Sequence, residues 1–275
     1  MVQLSGLPCR SDVRLIATDL DGTLLDGDGL ISPRTAAALR TAEQAGITVV
    51  FVTGRPLRWM DDLWPHVGDH GLAICSNGGV VYDAGERRVV RSRGIPPETV
   101  TEVARRISEI APDSADALEK LRGGFVEPTF APGRPKPDDV MVAPLPRLLD
   151  EDGVVVKLLA LAETRDPEEY WRLVDREVGD LVTTTWSAFG PLVEMSGLEV
   201  SKASTLEQLC GSHGIAAEQV VALGDMPNDL PLLGWAGFSY AMENAHPSVK
   251  RAADRIAPHH AQDGVAQVIE EILAR

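Results

Sequence analysis

The chain has 275 residues, of which 44% are hydrophobic and 24% are charged. These values are typical of a globular protein, and they exclude a disordered, collagenous or coiled-coil chain. Acidic residues outnumber basic ones by 41 to 26, which gives a formal charge of −15. Because a protein that binds duplex nucleic acid needs a basic stripe, and no run of Lys or Arg supplies one, we expect no nucleic-acid partner.

The cysteines and the apolar runs predict a soluble protein of the cytoplasm. Cys9, Cys75 and Cys210 are far apart, odd in number and without a CxxC pair. Neither a disulfide framework nor a zinc site is therefore expected, and a reducing compartment fits best. No apolar run approaches the roughly 20 residues that span a bilayer, and the first twelve residues lack the order of a signal peptide. We expect no membrane partner.

Buried strands and helices alternate along much of the chain. Apolar, β-branched runs predict strands at 13–20, 47–54, 72–77, 219–225 and 238–242. Runs that are apolar on both faces are typical of a parallel sheet covered by helices on both sides. Start and stop signals, such as Ser32-Pro33 before the first helix and Gly46 after it, predict helices at 33–45, 56–64, 201–212 and 263–273.

The segment between Asp83 and Gly190 differs in composition, because clusters of Pro and Gly surround a mixture of helix and strand patterns. Helices are predicted at 97–110 and 166–178, and strands at 87–92, 124–130, 154–162 and 181–189. The alternation of strands and helices resumes only after 191. We therefore predict one α/β domain formed by 1–83 and 191–275, with a second, α+β domain inserted at 84–190.

Polar motifs follow the predicted strands, at the edge of the sheet where ligands bind in open parallel sheets. DLDGT at 19–23 follows the first strand, TGR at 53–55 follows the second, and GDMPND at 224–229 ends a later one. Lys202 begins the helix after the insertion. One fold would bring these groups to one rim, where they supply what phosphoryl transfer needs: a nucleophile, donors for phosphate oxygens, a cation, and carboxylates for Mg²⁺.

With these motifs in this order, the sequence resembles the haloacid dehalogenase-like hydrolases, and within them the Cof-type phosphatases. The resemblance covers essentially the whole chain, and it also includes SNGG at 76–79, VSK at 200–202 and AMENA at 241–245. It implies a Rossmann-like parallel-sheet core with a mobile inserted cap. This expectation agrees with the insertion inferred from composition.

The resemblance implies three catalytic residues. Asp19 matches the nucleophile that forms an aspartyl-phosphate. Asp21 matches the general acid and base, which protonates the leaving alkoxide and then activates water. Lys202 is expected to offset negative charge on Asp19 and on the phosphoryl group.

The remaining matched positions are implied to bind phosphate and Mg²⁺. Thr53, the amide of Gly54 and Asn228 match groups that contact phosphate. Asp19, the backbone carbonyl of Asp21, and Asp225 match the metal ligands, with Asp229 one helical turn further on as another. Few carboxylates, together with water and a substrate phosphate, are the ligands that Mg²⁺ favours.

The expected substrate is a small phosphorylated metabolite, with a sugar phosphate as the choice that family analogy favours. Cap positions that could contact it are the loop 122–136, the strand with Lys157 and the strand with residues 183–186. Two other functions share the core residues: a phosphotransferase or mutase acting on sugar phosphates, and a sensor of phosphorylated metabolites without turnover. A phospho-accepting receiver domain is shorter and has no cap. The expected assembly is a monomer or a homodimer.

Overall fold

Two β-sheets organise the protein. A computed structural model describes residues 10–68, 71–186 and 190–275, so that Cys9 lies outside the described residues. Numbered in chain order, the strands are β1 (Leu15–Thr18), β2 (Thr48–Val52), β3 (Leu72–Cys75), β4 (Val80–Asp83), β5 (Arg88–Ser92), β6 (Ala115–Lys120), β7 (Gly123–Val126), β8 (Val140–Val142), β9 (Val155–Leu161), β10 (Val182–Trp186), β11 (Leu192–Gly197), β12 (Val220–Gly224), β13 (Phe238–Met242) and β14 (Arg255–Ala257). The helices are α1 (Pro33–Gln44), α2 (Pro97–Ile110), α3 (Leu145–Asp150), α4 (Pro167–Val178), α5 (Lys202–Ser212), α6 (Leu230–Trp235), α7 (Pro247–Ala252) and α8 (Gly264–Leu273).

The first sheet has the spatial order β14-β13-β12-β1-β2-β3-β4-β5. Its strands from β14 to β3 are parallel, whereas β4 and β5 extend one edge in the antiparallel sense. The strands that the sequence predicts outside the insertion all belong to the parallel part. At its centre, β1 and β12 are buried at every residue, as a sheet covered on both faces requires. The predicted α/β core is confirmed.

Helices cover this sheet, with α1 packed on α8 and α5 packed on α6. The local signals act as predicted in α1: the Ser32 hydroxyl accepts the amide of Thr35 at 3.0 Å, Pro33 opens the helix, and Gly46 follows it with φ of +82°. The predicted helices at 201–212 and 263–273 are confirmed as α5 and α8. In the described ranges, the helices lack the combination of length and apolarity needed to cross a bilayer.

The second sheet, with the order β10-β11-β9-β6-β7-β8, has its own hydrophobic core. Neighbouring strands are antiparallel except for β7 and β8. Helices α2 and α4 pack against each other and bury Val103, Ile107, Tyr170 and Val174 in this core. The α+β character predicted for the insertion is thus confirmed.

Sheet membership differs from the domain boundaries predicted after Asp83 and Gly190. Strand β5, predicted within the insertion, pairs with β4 in the first sheet. Strand β11, which lies beyond the predicted insertion, pairs with β9 and β10 in the second sheet. Composition could not reveal either pairing, because the sheet that a strand joins is decided by partners distant in the sequence. The change from one sheet to the other therefore lies, at both ends of the insertion, one strand further toward the carboxyl terminus than the predicted boundaries.

The helix predicted at 56–64 is wrong. Two short turns stand there instead, at Leu57–Trp59 and Trp64–His66. Their amides bond three residues back, as that of Met60 does to the carbonyl of Leu57 at 3.0 Å. Pro65 lacks an amide hydrogen and so limits any continuation of a helix through this segment.

The strand β6 escaped prediction because half of its six residues are charged. Asp116, Glu119 and Lys120 are nevertheless buried. Lys120 donates to the carbonyls of Leu148 and Glu151, and Glu119 accepts hydrogen bonds from an arginine of the first domain. Tertiary partners thus satisfy the charges of Glu119 and Lys120, which the sequence pattern assigns to solvent, whereas Oδ1 of Asp116 is buried without a hydrogen bond from the described residues.

Candidate active site

The predicted site residues meet at the carboxyl-terminal edge of the first sheet. Asp19 follows β1, Thr53 follows β2 and Asp225 follows β12, and these three strands are adjacent and parallel. Lys202 is the first residue of α5. Because parallel strands end on the same edge, motifs from both halves of the sequence converge there.

Lys202 is the buried centre of this site. Its ammonium group is 2.5 Å from Oδ1 of Asp19 and 2.7 Å from Oδ1 of Asp229. The other oxygen of Asp229 accepts the amides of Asp225 at 3.0 Å and Met226 at 3.1 Å. Asp229 therefore fixes both the lysine and the loop that carries Asp225.

The start of α5 explains why Lys202 lies there. Ser201 and Ser204 form a reciprocal capping box, in which each hydroxyl accepts the other residue's amide. Gly78, with φ of +100°, packs against this turn so closely that a Cβ would lie 2.2 Å from the carbonyl oxygen of Ser201. The SNGG motif thus lets the helix start approach the sheet edge.

Three buried carboxylates share this one lysine, so negative charge is in excess. One oxygen each from Asp19, Asp225 and Asp229 lies within 4.8 Å of the others. Burial raises the pKa of Asp19 well above its usual range although Lys202 opposes the shift. Burial and then Asp229 raise the pKa of Asp225 to about 7. Burial disfavours the charge on Lys202, but Asp19 and Asp229 outweigh it and raise the pKa of the lysine.

Two oxygens of this cluster fit a divalent cation. Lys202 and Thr23 donate to Oδ1 of Asp19 and of Asp225, whereas Oδ2 of each accepts no hydrogen bond from the described residues. Gly22 leaves room beside the second of these oxygens, since a Cβ at this residue, whose φ is +74°, would lie 2.4 Å from Oδ2 of Asp225. These two carboxylate oxygens are hard ligands in a site where negative charge exceeds positive charge, and such ligands suit Mg²⁺.

Asn244 supports the DLDGT loop, which is a role that the sequence analysis did not assign. Its amide donates to the carbonyl of Gly22 at 2.7 Å, and its Oδ1 accepts the amide of His260 at 3.1 Å. Asn244 belongs to the AMENA motif that carries part of the family resemblance. That motif was the available signal for this contact.

Asp21 lies at the same rim but in a more exposed setting. Its side chain is 49% exposed and forms a two-point ion pair with Arg55, with contacts of 2.6 and 2.8 Å. Arg55 ends the TGR motif, and no function was predicted for it from the sequence. The pairing explains why an arginine follows the predicted phosphate-binding residues.

Thr53, Gly54 and Asn228 lie in one hydrogen-bonded loop region. The buried Thr53 hydroxyl accepts the amide of Arg55 at 3.0 Å, and the Thr53 carbonyl accepts the amide of Asn77. Asn77 has φ of +54°, and its Oδ1 accepts the Asn228 side-chain amide at 3.3 Å. A Cβ on Gly54 would lie 3.0 Å from that same Oδ1. The structure thus brings together the three residues predicted to bind phosphate.

A cavity of about 530 Å³ opens beside Asp19 between the two sheets. Apart from Asp19 and Asp225, the charged side chains of its wall are paired, Asp21 with Arg55, Glu119 with Arg58 and Lys157 with Glu194. The apolar part of the wall comes from both domains and consists of Pro56, Trp59, Leu159, Leu192 and Met226.

The other cap positions predicted to face substrate lie elsewhere. Residues 183–186 line a separate cavity of about 420 Å³, beside Trp171 and His246. Arg122 lines a third cavity, on the side of Tyr82. Among the predicted cap contacts, only Lys157 lines the cavity beside Asp19 within the described residues.

Comparison with known proteins agrees with this architecture. The model of the haloacid dehalogenase-like hydrolase family matches residues 16–269. The chain therefore belongs to the haloacid dehalogenase-like hydrolases, as the sequence motifs predicted, and it is a phosphatase of that superfamily.

Several phosphatases are similar along their whole length. The chain is 28% identical over 276 residues to a 5-amino-6-(5-phospho-D-ribitylamino)uracil phosphatase of Bacillus subtilis, covering 94% of this chain and 95% of the relative. It is 29% identical to a phosphoglycolate phosphatase of Methanothermobacter thermautotrophicus, with coverages of 95% and 99%. It is 28% identical to a pyridoxal phosphate phosphatase of Escherichia coli, with coverages of 93% and 97%.

Solved structures share the fold. A haloacid dehalogenase-like hydrolase from Bacteroides thetaiotaomicron aligns with a TM-score of 0.72 at 25% identity, covering 94% of this chain and 99% of that one. Another from Bacillus subtilis aligns with a TM-score of 0.80 at 24% identity, covering 94% and 100%.

Proposed function

We propose that the protein hydrolyses phosphate monoesters of small metabolites through an aspartyl-phosphate on Asp19, with Mg²⁺ as cofactor. The observation that carries this proposal is the buried Lys202 held between Asp19 and Asp229 at the edge of the cavity. A buried cation opposes the protonation of a carboxylate in a place where burial favours its neutral form. Nucleophilic attack requires that ionised form.

In the first step a carboxylate oxygen of Asp19 attacks phosphorus, and the bond from phosphorus to the substrate oxygen breaks. Asp21 gives its proton to that leaving oxygen, so the product is a neutral alcohol. Because Arg55 donates to both oxygens of Asp21, one contact must open before that oxygen carries the proton. Arg55 thereby controls the acid.

In the second step Asp21, now ionised, takes a proton from water while the water oxygen attacks phosphorus. The bond between phosphorus and Asp19 breaks, which releases inorganic phosphate and restores the Asp19 carboxylate. Thr53, the amide of Gly54 and the side-chain amide of Asn228 are proposed to bind the phosphoryl oxygens. Since the Thr53 oxygen already accepts a hydrogen bond, its own hydrogen is left to donate to phosphate.

Asp19 and Asp225 would hold the metal through their oxygens without hydrogen bonds, together with the backbone carbonyl of Asp21. When bound, Mg²⁺ lowers the repulsion between the nucleophile and the phosphate. Both oxygens of Asp229 are engaged, by Lys202 and by backbone amides, which supports a role in holding the lysine. Its part as a direct metal ligand stays a prediction.

The wall of the cavity supports a substrate with an apolar face. Away from Asp19 and Asp225, its charged groups are held in ion pairs, so few remain to bind sugar hydroxyls, and Trp59, Leu159 and Leu192 offer apolar surface. Polar groups that are buried by a ligand need partners. We therefore favour a monoester with an aromatic ring, such as the pyridoxal phosphate that names one relative, over the sugar phosphate that family analogy favoured.

Phosphate release over a panel of monoesters with Mg²⁺ tests the function. The panel contains pyridoxal 5′-phosphate, glucose 6-phosphate and phosphoglycolate, and the Asp19→Asn protein is the control for contaminating activity. If pyridoxal 5′-phosphate is hydrolysed with a higher kcat/KM than the other two compounds, the result supports both hydrolysis and the proposed substrate class. Preference for glucose 6-phosphate would contradict the substrate class alone. Dephosphorylation of a panel compound only when an acceptor sugar is present, with a new sugar phosphate formed in place of free phosphate, would indicate a phosphotransferase. No release from any compound would contradict hydrolysis.

We also propose a cytoplasmic location, because Cys75 and Cys210 are buried free thiols. The proposed assembly is a monomer or a homodimer, which light scattering of the purified protein would decide.

A further inference from the structure

A buried ion pair of the second sheet contacts the loop that is proposed to bind phosphate. Lys157 on β9 is 3% exposed and Glu194 on β11 is 8% exposed. The ammonium group of Lys157 is 2.8 Å from Oε1 of Glu194, and it also donates to the carbonyl of Gly54 at 2.6 Å. The lysine therefore crosses from the second sheet to the first.

The lysine contact fixes a peptide plane beside the phosphate. The carbonyl of Gly54 and the amide of Arg55 belong to the same rigid peptide group. That amide donates to the Thr53 hydroxyl oxygen. When Lys157 binds the carbonyl of Gly54, the amide of Arg55 is oriented toward the Thr53 hydroxyl oxygen. The hydroxyl hydrogen of Thr53 is then free to donate to phosphate.

The glutamate reaches the same loop by a second route. Oε2 of Glu194 accepts the side-chain amide of Asn77 at 2.8 Å. Asn77 in turn accepts the Asn228 side-chain amide through its Oδ1. The Nδ2 group of Asn77 donates to Glu194, and its Oδ1 accepts from Asn228. Glu194 therefore fixes the orientation of the Asn77 side-chain amide and, through it, that of Asn228.

We propose that Lys157 and Glu194 are positioning residues, which shape the phosphate-binding loop from the second sheet. This inference rests on the proposed function of Thr53, Gly54 and Asn228. Because the pair belongs to the second sheet, the loop has its binding geometry only while that sheet is seated on the first. Phosphate binding and the seating of the second sheet are thus coupled.

Stability does not account for this pair, since the desolvation of two buried charges largely offsets their attraction. A second ion pair between the domains offers a contrast. Arg58 binds Glu119 of β6 at 2.6 Å, and it also reaches the exposed Asp139 at 3.3 Å. Arg58 makes no hydrogen bond to the phosphate loop among the described residues, so it is the matched control.

The experiment measures inorganic phosphate as an inhibitor and kcat/KM over the substrate panel, for the wild type, Lys157→Met, Glu194→Gln and Arg58→Met. We expect Lys157→Met to weaken phosphate inhibition about tenfold, as the loss of one charged hydrogen bond does. The kcat/KM should fall by a similar factor for every substrate, because the change acts on the shared phosphate. Arg58→Met should leave phosphate inhibition within about twofold of the wild type.

A double variant separates positioning from folding. Lys157→Met/Glu194→Leu removes both charges, so it should regain the melting temperature that Lys157→Met loses while phosphate inhibition stays weak. If the single variant does not fold, the double variant and Glu194→Gln carry the test.

Unchanged phosphate inhibition in these variants would overturn the inference, and so would a loss that differs among leaving groups, since Lys157 would then contact the substrate itself. If the wild type binds phosphate by calorimetry with Mg²⁺ but releases none, the proposed function fails while the effect of the variants on phosphate binding still decides the inference. A wild type that binds no phosphate would overturn both.

Discussion

The edge of the first sheet and the wall from the second sheet build one cavity in different ways. At the edge, Asp19, Thr53 and Asp225 each stand directly after a parallel strand, so backbone topology alone brings them together. In the wall, Lys157 and Glu194 lie within strands, and only pairing between β9 and β11 makes them neighbours. The proposed catalytic residues are placed by the strand ends that they follow in the sequence. The residues that hold them in place are brought together by strand pairing and side-chain packing.

The two regions also differ in charge balance. The edge places three buried carboxylates near one lysine. Burial first, and then the neighbouring carboxylates, raise the pKa of Asp19 and of Asp225. The wall pairs each buried glutamate with one cation, Glu194 with Lys157 and Glu119 with Arg58. Unbalanced charge calls for a bound cation, and balanced charge does not.

The largest effect is expected from Asp19→Asn, which removes the proposed nucleophile and keeps its shape. Turnover should fall by more than about 10³-fold, since no other group can take the phosphoryl group. Circular dichroism should show the fold retained. Asp28→Asn, an exposed aspartate of the same segment, is the matched control and should keep wild-type kcat/KM. Substantial turnover by Asp19→Asn would remove this residue from the mechanism.

Metal removal is the second test of the unbalanced edge. EDTA should abolish phosphate release, and excess Mg²⁺ should restore it. The metal should also raise the melting temperature, because it binds the folded state and offsets the repulsion between the carboxylates. Asp225→Asn should lose most of that rise. Full turnover in EDTA would contradict the proposed cofactor.

A change of the buried lysine affects stability as well as turnover. Lys202→Met leaves Asp19 and Asp229 without their cation, which should cost about 3–5 kcal/mol in the free energy of unfolding by urea. The loss should be smaller at pH 5 than at pH 8, because Asp19, whose pKa burial raises, takes up a proton more readily at the lower pH. Lys250→Met, at an exposed lysine, should change little. Equal losses at both pH values would contradict the role assigned to charge.

The smallest effect is expected in the second sheet at Asp116. Burial, and then Glu127, raise the pKa of this carboxyl to about 7. Unfolded, it titrates near 4. The folded state therefore binds the proton more tightly, and this stabilising contribution is present at low pH and is lost as pH rises from about 4 to 7.

Asp116→Asn should then be more stable than the wild type at pH 8, by urea unfolding, and the difference should nearly vanish at pH 4. Its kcat/KM should match that of the wild type, because Asp116 lies away from the cavity. A stability difference that is the same at both pH values would show that titration of Asp116 is not its cause.

The sequence predicted the edge of the first sheet well because its information is local. DLDGT, TGR and GDMPND each combine a strand with the residue after it, so position along the chain gives position in space. The sequence predicted the second sheet poorly. Three of the six residues of β6 are charged, a composition typical of an exposed segment. Strand β11 lies beyond the predicted end of the insertion.

The contacts of Arg55 and Glu194 show the same limit. Arg55 stands in a motif that was noticed, but its two-point contact with Asp21 depends on how two loops approach each other. Glu194 belongs to no motif that the sequence revealed. It contacts Asn77, which is 117 residues away in the sequence. Periodicity cannot identify such contacts, because they follow from strand pairing.

The central claim is that phosphate passes through Asp19. The most direct measurement is mass spectrometry of the enzyme quenched in acid during turnover of its best panel substrate with Mg²⁺. The account predicts one phosphoryl group on the peptide that contains Asp19, and none in Asp19→Asn. Steady phosphate release with no phosphoryl group on that peptide, or with the group on another residue, would contradict it.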